Sequence, residues 1–312
     1  MAQLSKATLG RTGLDVTRLS YGAMEIRSEW AGNDDRPLTE TQVETVLNTL
    51  LDAGINFIDT ADCYGRSEEY IGRFISHRRD EYYLASKCGC HPDHGQKHLG
   101  WVGKIWTKEN VHRGVDDSLR RLKTDYLDVM QFHGATVEDC EKGHVIDALN
   151  EAREQGKVRW IGTSSALEHK PTFLGWGSFD VFQLGYSALD RTTENFITEA
   201  ADAGTGMIIR GGVAQGEPGE GRGSADRWQQ AFDEANLDEL REEGESRTAF
   251  ILRFTLSHPH VHTTIVGTRN VDHLLENVRT AERGPLGPDV YAEAKRRLDA
   301  IGMTPAKSLE EA

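Results

Sequence analysis

The fold class predicted by this sequence is α/β: a (β/α)8 TIM barrel, with an N-terminal β-hairpin closing the bottom and long loops at the C-terminal face. Three observations predict it. Short apolar runs alternate with segments of helical period from one end of the chain to the other. Eight such runs fall between Leu19 and Thr268, the strand count and spacing a closed barrel needs. The rival, an open doubly wound sheet, carries G-x-G-x-x-G after its first strand; here that place reads Tyr21-Gly22-Ala23-Met24-Glu25-Ile26.

The elements follow in order. Thr8–Leu19 reads as a hairpin turning at Arg11-Thr12-Gly13. The strands are expected at Leu19–Met24, Asn56–Ala61, Tyr82–Lys87, Leu127–His133, Val158–Ser164, Val181–Ser187, Gly206–Gly212 and Thr263–Thr268. Each is apolar on consecutive positions toward its middle, as strands buried on both faces are. Between the first two, Val43, Val46, Leu47 and Leu50 form a helical stripe, with Thr39 as N-cap and Gly54 just past the end. Thr107 caps a second such stripe of Val111, Val115, Leu119 and Leu122. SEEYIGRFI, KGHVIDALNEAREQGK, TENFITEAADAG and SRTAFILRFTLSHP supply further helices. Residues 91–106 and the glycine-rich 215–226 are irregular and are expected as long loops. No linker or repeat divides the chain, so residues 1–312 are expected to form one domain.

Composition narrows the function classes. A formal charge of −14 argues against nucleic acid or an anionic membrane as partner. There is no run of 18 apolar residues, and MAQLSKATLGRTG lacks the plan of a secretory signal. The four cysteines Cys63, Cys88, Cys90 and Cys140 form no disulfide framework, so a cytoplasmic location is expected.

The stretch NFIDTADCYG runs an apolar strand straight into Asp59, with Tyr64 in the loop beyond. Taken alone, the stretch favours Asp59 as a turn cap and Tyr64 as the cover of a core edge. The barrel adds a test, because catalytic groups gather at the C-terminal ends of several strands. Asp59 ends the second strand, Lys87 the third and His133 the fourth. The chemistry suits that set. A phenol titrating near pH 10 is a weak acid; a lysine ammonium beside it lowers that pKa, and an aspartate keeps the ammonium charged. A neutral histidine then orients a carbonyl oxygen while Tyr64 donates the proton, and the hydride comes from a bound nicotinamide.

FIDTADCYG, ASK, DVMQFH, GTSS, FQLGYSALDR and IVGTRNVDHLLENV together resemble the aldo-keto reductase family over nearly the whole chain. The resemblance implies a catalytic tetrad of Asp59, Tyr64, Lys87 and His133. It implies that Ser164, Ser165 and Gln183 hold the nicotinamide carboxamide. Arg210, Gly211, Gly212, Val213 and Gly216 would lie at the nicotinamide and pyrophosphate. Gly267, Thr268, Arg269, His273, Glu276 and Asn277 would hold the adenosine half, with ordinary helix capping as the alternative for Asn270. The implied cofactor is NADP(H), with NAD(H) also open because Gly267 and His273 replace basic residues common in the family. The implied partner is a small carbonyl substrate, lined by Met24, Trp30, Trp101 and Trp106.

Two departures bear on the cofactor. Ser165 stands where the family usually has Asn, which removes a donor. Arg210 stands where an aromatic usually stacks on the nicotinamide. A guanidinium there either disfavours the oxidised, cationic ring or pairs with an acid or the pyrophosphate. Cys88, Cys90, His91, His94 and His98 match no common zinc-finger spacing, and no resident metal is expected from them. Two other classes stay on the page. A nucleotide-sensing subunit would bind cofactor with very slow turnover, and a metal-dependent barrel hydrolase would need no nucleotide.

Overall fold

In the computed structural model, which describes residues 3–27, 38–91, 103–216 and 226–306, eight parallel strands close into a barrel. A two-stranded antiparallel hairpin, β1 (Lys6–Thr8) and β2 (Asp15–Thr17), precedes it. The barrel strands are β3 (Leu19–Gly22), β4 (Phe57–Asp59), β5 (Tyr83–Cys88), β6 (Leu127–Phe132), β7 (Val158–Thr163), β8 (Val181–Gly185), β9 (Gly206–Arg210) and β10 (Thr263–Val266). They are ordered around the barrel in sequence, with β10 pairing back onto β3. All eight predicted strands are present. Most stop a residue or more short of the expected C-terminal end, because the chain leaves the ladder there to build the loops of the mouth.

The helices obey the local signals. In α1 (Glu40–Asp52), Thr39 and Gln42 form a capping box, and Val43, Val46, Leu47 and Leu50 are buried. Thr107 caps α3 (Lys108–Leu122), which packs beside α2 (Ser67–Phe74). The helix expected from KGHVIDALNEAREQGK is α5 (Val145–Glu154), and a short α4 (Val137–Gly143) precedes it, separated at His144. His144 has φ +47, a left-handed conformation that no helix interior accepts. The circuit continues with α6 (Lys170–Trp176), α7 (Glu194–Asp202), α8 (Asp226–Glu234), α9 (Arg247–Ser257), α10 (Val271–Glu282) and α11 (Pro288–Ala300). No helix among the described residues is long and apolar enough to cross a membrane.

What positions the site is the two-residue period of the strands. Phe57, Ala85, Val129, Val181 and Ile208 point into the barrel and pack with Leu9, Leu14 and Val16 of the hairpin. The hairpin is therefore the plug predicted for the bottom. Leu9 is wholly buried, which contributes about 1.5–3 kcal/mol. Its neighbour Gly10 lies so close to Gly206 that a Cβ would come within 2.3 Å of the Gly206 amide nitrogen. Two residues further along the same strands stand Asp59, Lys87, Gln131, Gln183 and Arg210. An apolar floor thus carries a polar layer directly above it.

Candidate active site

At the centre of the polar layer, Lys87 is fully buried and its Nζ donates to Asp59 Oδ2 at 2.5 Å and to the Thr60 carbonyl at 2.8 Å. Asp59 Oδ1 accepts from Gln131 Nε2 at 2.9 Å and from Gln183 Nε2 at 2.8 Å. The three side-chain donors to the carboxylate therefore come from three different strands, β5, β6 and β8. Gly162 makes room for this arrangement: a Cβ there would press on Gln131 Cγ at 3.3 Å and on the Val181 carbonyl at 2.8 Å. Gln131 was not singled out in the sequence. Its signal was a lone amide toward the end of the run LDVMQF, whose one other polar residue is Asp128.

Tyr64 lies over this pair, its ring centroid 4.9 Å from Lys87 Nζ. The His133 ring meets it edge-on, centroids 5.8 Å apart. The structure thus brings all four predicted groups together from the ends of three adjacent strands. One expectation is corrected. Burial raises the Tyr64 pKa, and although Lys87 opposes it, the net shift is upward rather than downward. The phenol accordingly keeps its proton throughout the neutral range. For Lys87, burial disfavours the ammonium, but Asp59 and Tyr64 outweigh it and the pKa is raised. His133 is lowered to about 2 by burial and by the charges of Lys87, Lys104 and Arg210, so its imidazole is neutral. Its Nδ1 faces Cys63 Sγ at 3.2 Å and Cys90 Sγ at 3.6 Å.

The expected cofactor residues divide. Ser164 Oγ donates to Gln183 Oε1 at 3.0 Å, which leaves the Gln183 amide one N–H and one lone pair for a carboxamide. Ser165 is buried and its hydroxyl is paired with Thr163 Oγ1 at 2.6 Å. Its grip on a nicotinamide is thus even less than its hydroxyl alone suggested. Arg210 is exposed at the mouth. Beyond it, Gly211 and Gly216 have φ of +72 and +115, and a tight turn runs between them through Val213. Gly212 is packed so that a Cβ would fall 2.2 Å from Thr264 Oγ1. Gly267 is exposed yet close-packed against the Gly22 carbonyl, 2.8 Å from where a Cβ would stand.

Tyr21 donates to the Thr268 carbonyl at 2.7 Å, fixing the approach to α10. Asn270 caps that helix by accepting from the Asp272 amide at 2.8 Å, the capping role held open for it. Arg269, His273 and Glu276 are exposed beside the helix start, with Asn277 half-buried behind them. Glu276 accepts from Ser246 Oγ at 3.4 Å. Close-approach glycines, the first turn of a helix and exposed arginines are a donor set that fits a phosphate-bearing nucleotide.

Of the expected substrate-lining residues, Met24 is 37% exposed and is the one exposed large hydrophobic side chain among the described residues. Trp106 is half-buried. It lies edge-on to Phe132 at 5.4 Å and covers Gly89, where a Cβ would strike its ring at 2.2 Å. Trp30 and Trp101 lie outside the described residues, as do His94 and His98. A hollow of about 1060 Å³ lies at the opposite end of the barrel, lined by Lys6, Asn56, Arg79, Asp128 and Arg159. Asp128 there accepts from both arginines, at 2.7 and 3.0 Å, an ion-pair network with no unpaired reactive group. The buried titratable cluster at the strand ends, and not that groove, is the candidate site.

Lys170, missed in the sequence, is buried beside the mouth with no hydrogen-bond partner, 5.3 Å from the Phe182 ring. Burial, then Arg210, lowers its pKa to about 7. The unfolded chain holds that proton up to about pH 10.4, so below pH 7 the folded state carries the full penalty and stability rises with pH between the two values. Lys170→Met should stabilise the protein by about 1–3 kcal/mol at pH 6 and by much less at pH 10. Denaturant midpoints at the two pH values check this, and an equal gain at both would refute it.

The model of the Aldo/keto reductase family matches residues 18–298. Among curated proteins, the chain is 29% identical over 295 residues to "Uncharacterized oxidoreductase YqkF" of Bacillus subtilis (strain 168), covering 89% of this chain and 91% of that one. It is 26% identical to "L-galactose dehydrogenase" of Arabidopsis thaliana, covering 99% and 97% of the two chains. It is 31% identical over 208 residues to "NADH-specific methylglyoxal reductase" of Escherichia coli (strain K12), covering 62% of each. Among solved structures, the aldo-keto reductase AKR11C1 from Bacillus halodurans (holo form) superimposes with a TM-score of 0.83. It is 28% identical, with 99% of this chain and 100% of that one covered.

Proposed function

The chain belongs to the aldo/keto reductase family and is a nicotinamide-dependent oxidoreductase; from that premise we propose that it reduces an aldehyde or ketone to the alcohol with Tyr64 as the general acid. The observation that carries this reading is the buried Lys87–Asp59 pair under the Tyr64 ring, beside a neutral His133. A bound nicotinamide supplies the hydride. The residues of this chain do the rest. His133, uncharged, orients the carbonyl oxygen toward the phenol without competing for its proton. Tyr64 delivers that proton as negative charge grows on the oxygen, and the Lys87 ammonium stabilises the phenolate left behind. Asp59, held by two glutamines, keeps the ammonium in place.

The nucleotide is read as NADP(H), held by Ser164 and Gln183 at one end. The turn from Gly211 to Gly216 holds its middle, and Gly267, Thr268, Arg269 and the start of α10 hold the adenosine end. Arg269 is the partner for a 2′-phosphate, and NAD(H) is the alternative because one relative carries NADH specificity in its name. The exposed apolar Met24 favours a substrate with an apolar body. The test is titration of the purified protein with NADPH and NADH, followed by nicotinamide oxidation on a carbonyl panel. Nucleotide binding with carbonyl-dependent oxidation supports the reading. Binding without turnover would favour a nucleotide sensor, and no binding would remove both. In the same titration, Arg210→Tyr should tighten the oxidised nucleotide relative to the reduced one, about threefold or more. An unchanged ratio would show that Arg210 does not act on the ring charge.

A further inference from the structure

Around His133 Nδ1, four potential ligands gather from the ends of three adjacent strands. They are Asp62 and Cys63 after β4, Cys90 after β5 and His133 after β6. One ligand atom of each lies within 4.8 Å of all the others. The two sulfurs are 3.2 and 3.6 Å from His133 Nδ1. A zinc-type tetrahedron with bonds near 2.3 Å to sulfur and 2.0 Å to nitrogen has sulfur–nitrogen edges of about 3.5 Å. The spacing therefore already suits a shared central ion.

A second observation is independent of that spacing. Asp62 is 1% exposed, and neither of its carboxylate oxygens has a hydrogen-bond partner among the described residues. A buried carboxyl without partners costs stability, and what satisfies one is a cation or a proton. The backbone of the cluster is fixed. The Asp62 amide donates to the Lys87 carbonyl at 3.2 Å, and the His133 amide donates to the Cys88 carbonyl at 3.0 Å. The Cys90 carbonyl accepts from Asn110 and from Arg113 at 3.2 and 3.0 Å. Lys104 Nζ lies 2.9 Å from Cys90 Sγ, a positive donor suited to a ligating thiolate.

We propose that Asp62, Cys63, Cys90 and His133 form a closed tetrahedral site for a zinc-class divalent cation at the wall of the active site. Two thiolates, one carboxylate and a divalent ion sum to one negative charge, which the Lys104 ammonium balances. Four protein ligands leave no open position, so the ion positions residues and does not activate water. Its ligation through Nδ1 fixes the proton of the imidazole on Nε2. On the reductase reading above, the ion therefore makes His133 a permanent donor toward the carbonyl oxygen. The sequence did not reveal the site because Cys63 and His133 are far from Cys90 along the chain. Of the set Cys88, Cys90, His91, His94 and His98 that drew attention to metal, Cys90 is among the four ligands.

Cobalt(II) reports the site without any turnover, so failure here is distinct from failure of the reductase reading. The full chain, kept reduced with a phosphine, is titrated with Co(II) and followed by absorbance, with metal content measured after desalting. We expect one ion per chain, with thiolate-to-cobalt charge-transfer bands and tetrahedral d–d bands, and displacement by Zn(II). Cys63→Ser with Cys90→Ser should abolish the charge-transfer bands, whereas Cys140→Ser should keep them. Asp62→Asn, which retains both sulfurs, should weaken binding at least tenfold and keeps the proposal testable if the double variant does not fold. Absence of binding, or cobalt bound without thiolate bands as a histidine loop would bind it, overturns the proposal.

Discussion

Tyr64→Phe should lower the rate of carbonyl reduction by about 10²–10⁴-fold, the usual contribution of a positioned general acid, and leave nucleotide affinity within about twofold. The substitution removes one oxygen and keeps the ring that lies 4.9 Å from Lys87 Nζ and edge-on to His133. No other group in the polar layer replaces the lost proton. Gln131 and Gln183 are amides committed to Asp59, and Lys87, paired with Asp59, holds its proton because its pKa is raised. The pH profile of the wild type adds a second check. The phenol pKa is raised above 10, so the rate should hold through pH 9 and fall only as the phenol ionises. Protonation of His133, whose pKa is lowered to about 2, should give no acid limb near neutrality. Single-turnover oxidation of bound NADPH measures the first effect. A variant retaining a tenth or more of the wild-type rate would remove Tyr64 from the chemistry.

Asp59→Asn should both inactivate the protein and destabilise it by about 3–5 kcal/mol, the usual cost of leaving a buried charge unpaired. The size follows from the geometry. Lys87 is fully buried, its ammonium 2.5 Å from the carboxylate, and the other carboxylate oxygen accepts from two glutamines. An asparagine places an N–H against at least one of those donors as well as removing the charge. Adding Lys87→Met should recover much of the stability, since it removes the stranded ammonium, but none of the activity. Denaturant midpoints for the wild type, single and double variants measure the coupling, and turnover is read on the same samples. Should the single variant prove unstable, the double variant still decides the catalytic half. If Asp59→Asn cost less than about 1 kcal/mol, the pair would not be the buried anchor described here.

Much of this was legible in one dimension. Strand positions were readable because consecutive apolar residues bounded by polar turns mark strands buried on both faces. Thr39, Thr107 and Asn270 announced helix starts by side-chain chemistry that acts over two or three residues. The convergence of Asp59, Lys87 and His133 followed from topology, because a closed parallel barrel delivers every strand end to one mouth. Local chemistry could not anticipate the sign of the Tyr64 shift, which depends on how much of the phenol the fold encloses. Nor could it show that Ser165 turns inward to Thr163, that Trp106 covers Gly89, or that His144 separates two helices.

The sequence by itself determined the barrel, its floor of hairpin and strand residues, and which side chains stand at the strand ends. These depend on periodicities of two and 3.6 residues and on connections that run in order. Only the tertiary structure decided which polar atoms meet. It joined Gln131 to Asp59, buried Lys170 without a partner, and set Asp62, Cys63, Cys90 and His133 around one point. Hydrogen bonding, desolvation and metal ligation act over a few ångström in space, and separation along the chain carries no record of those distances.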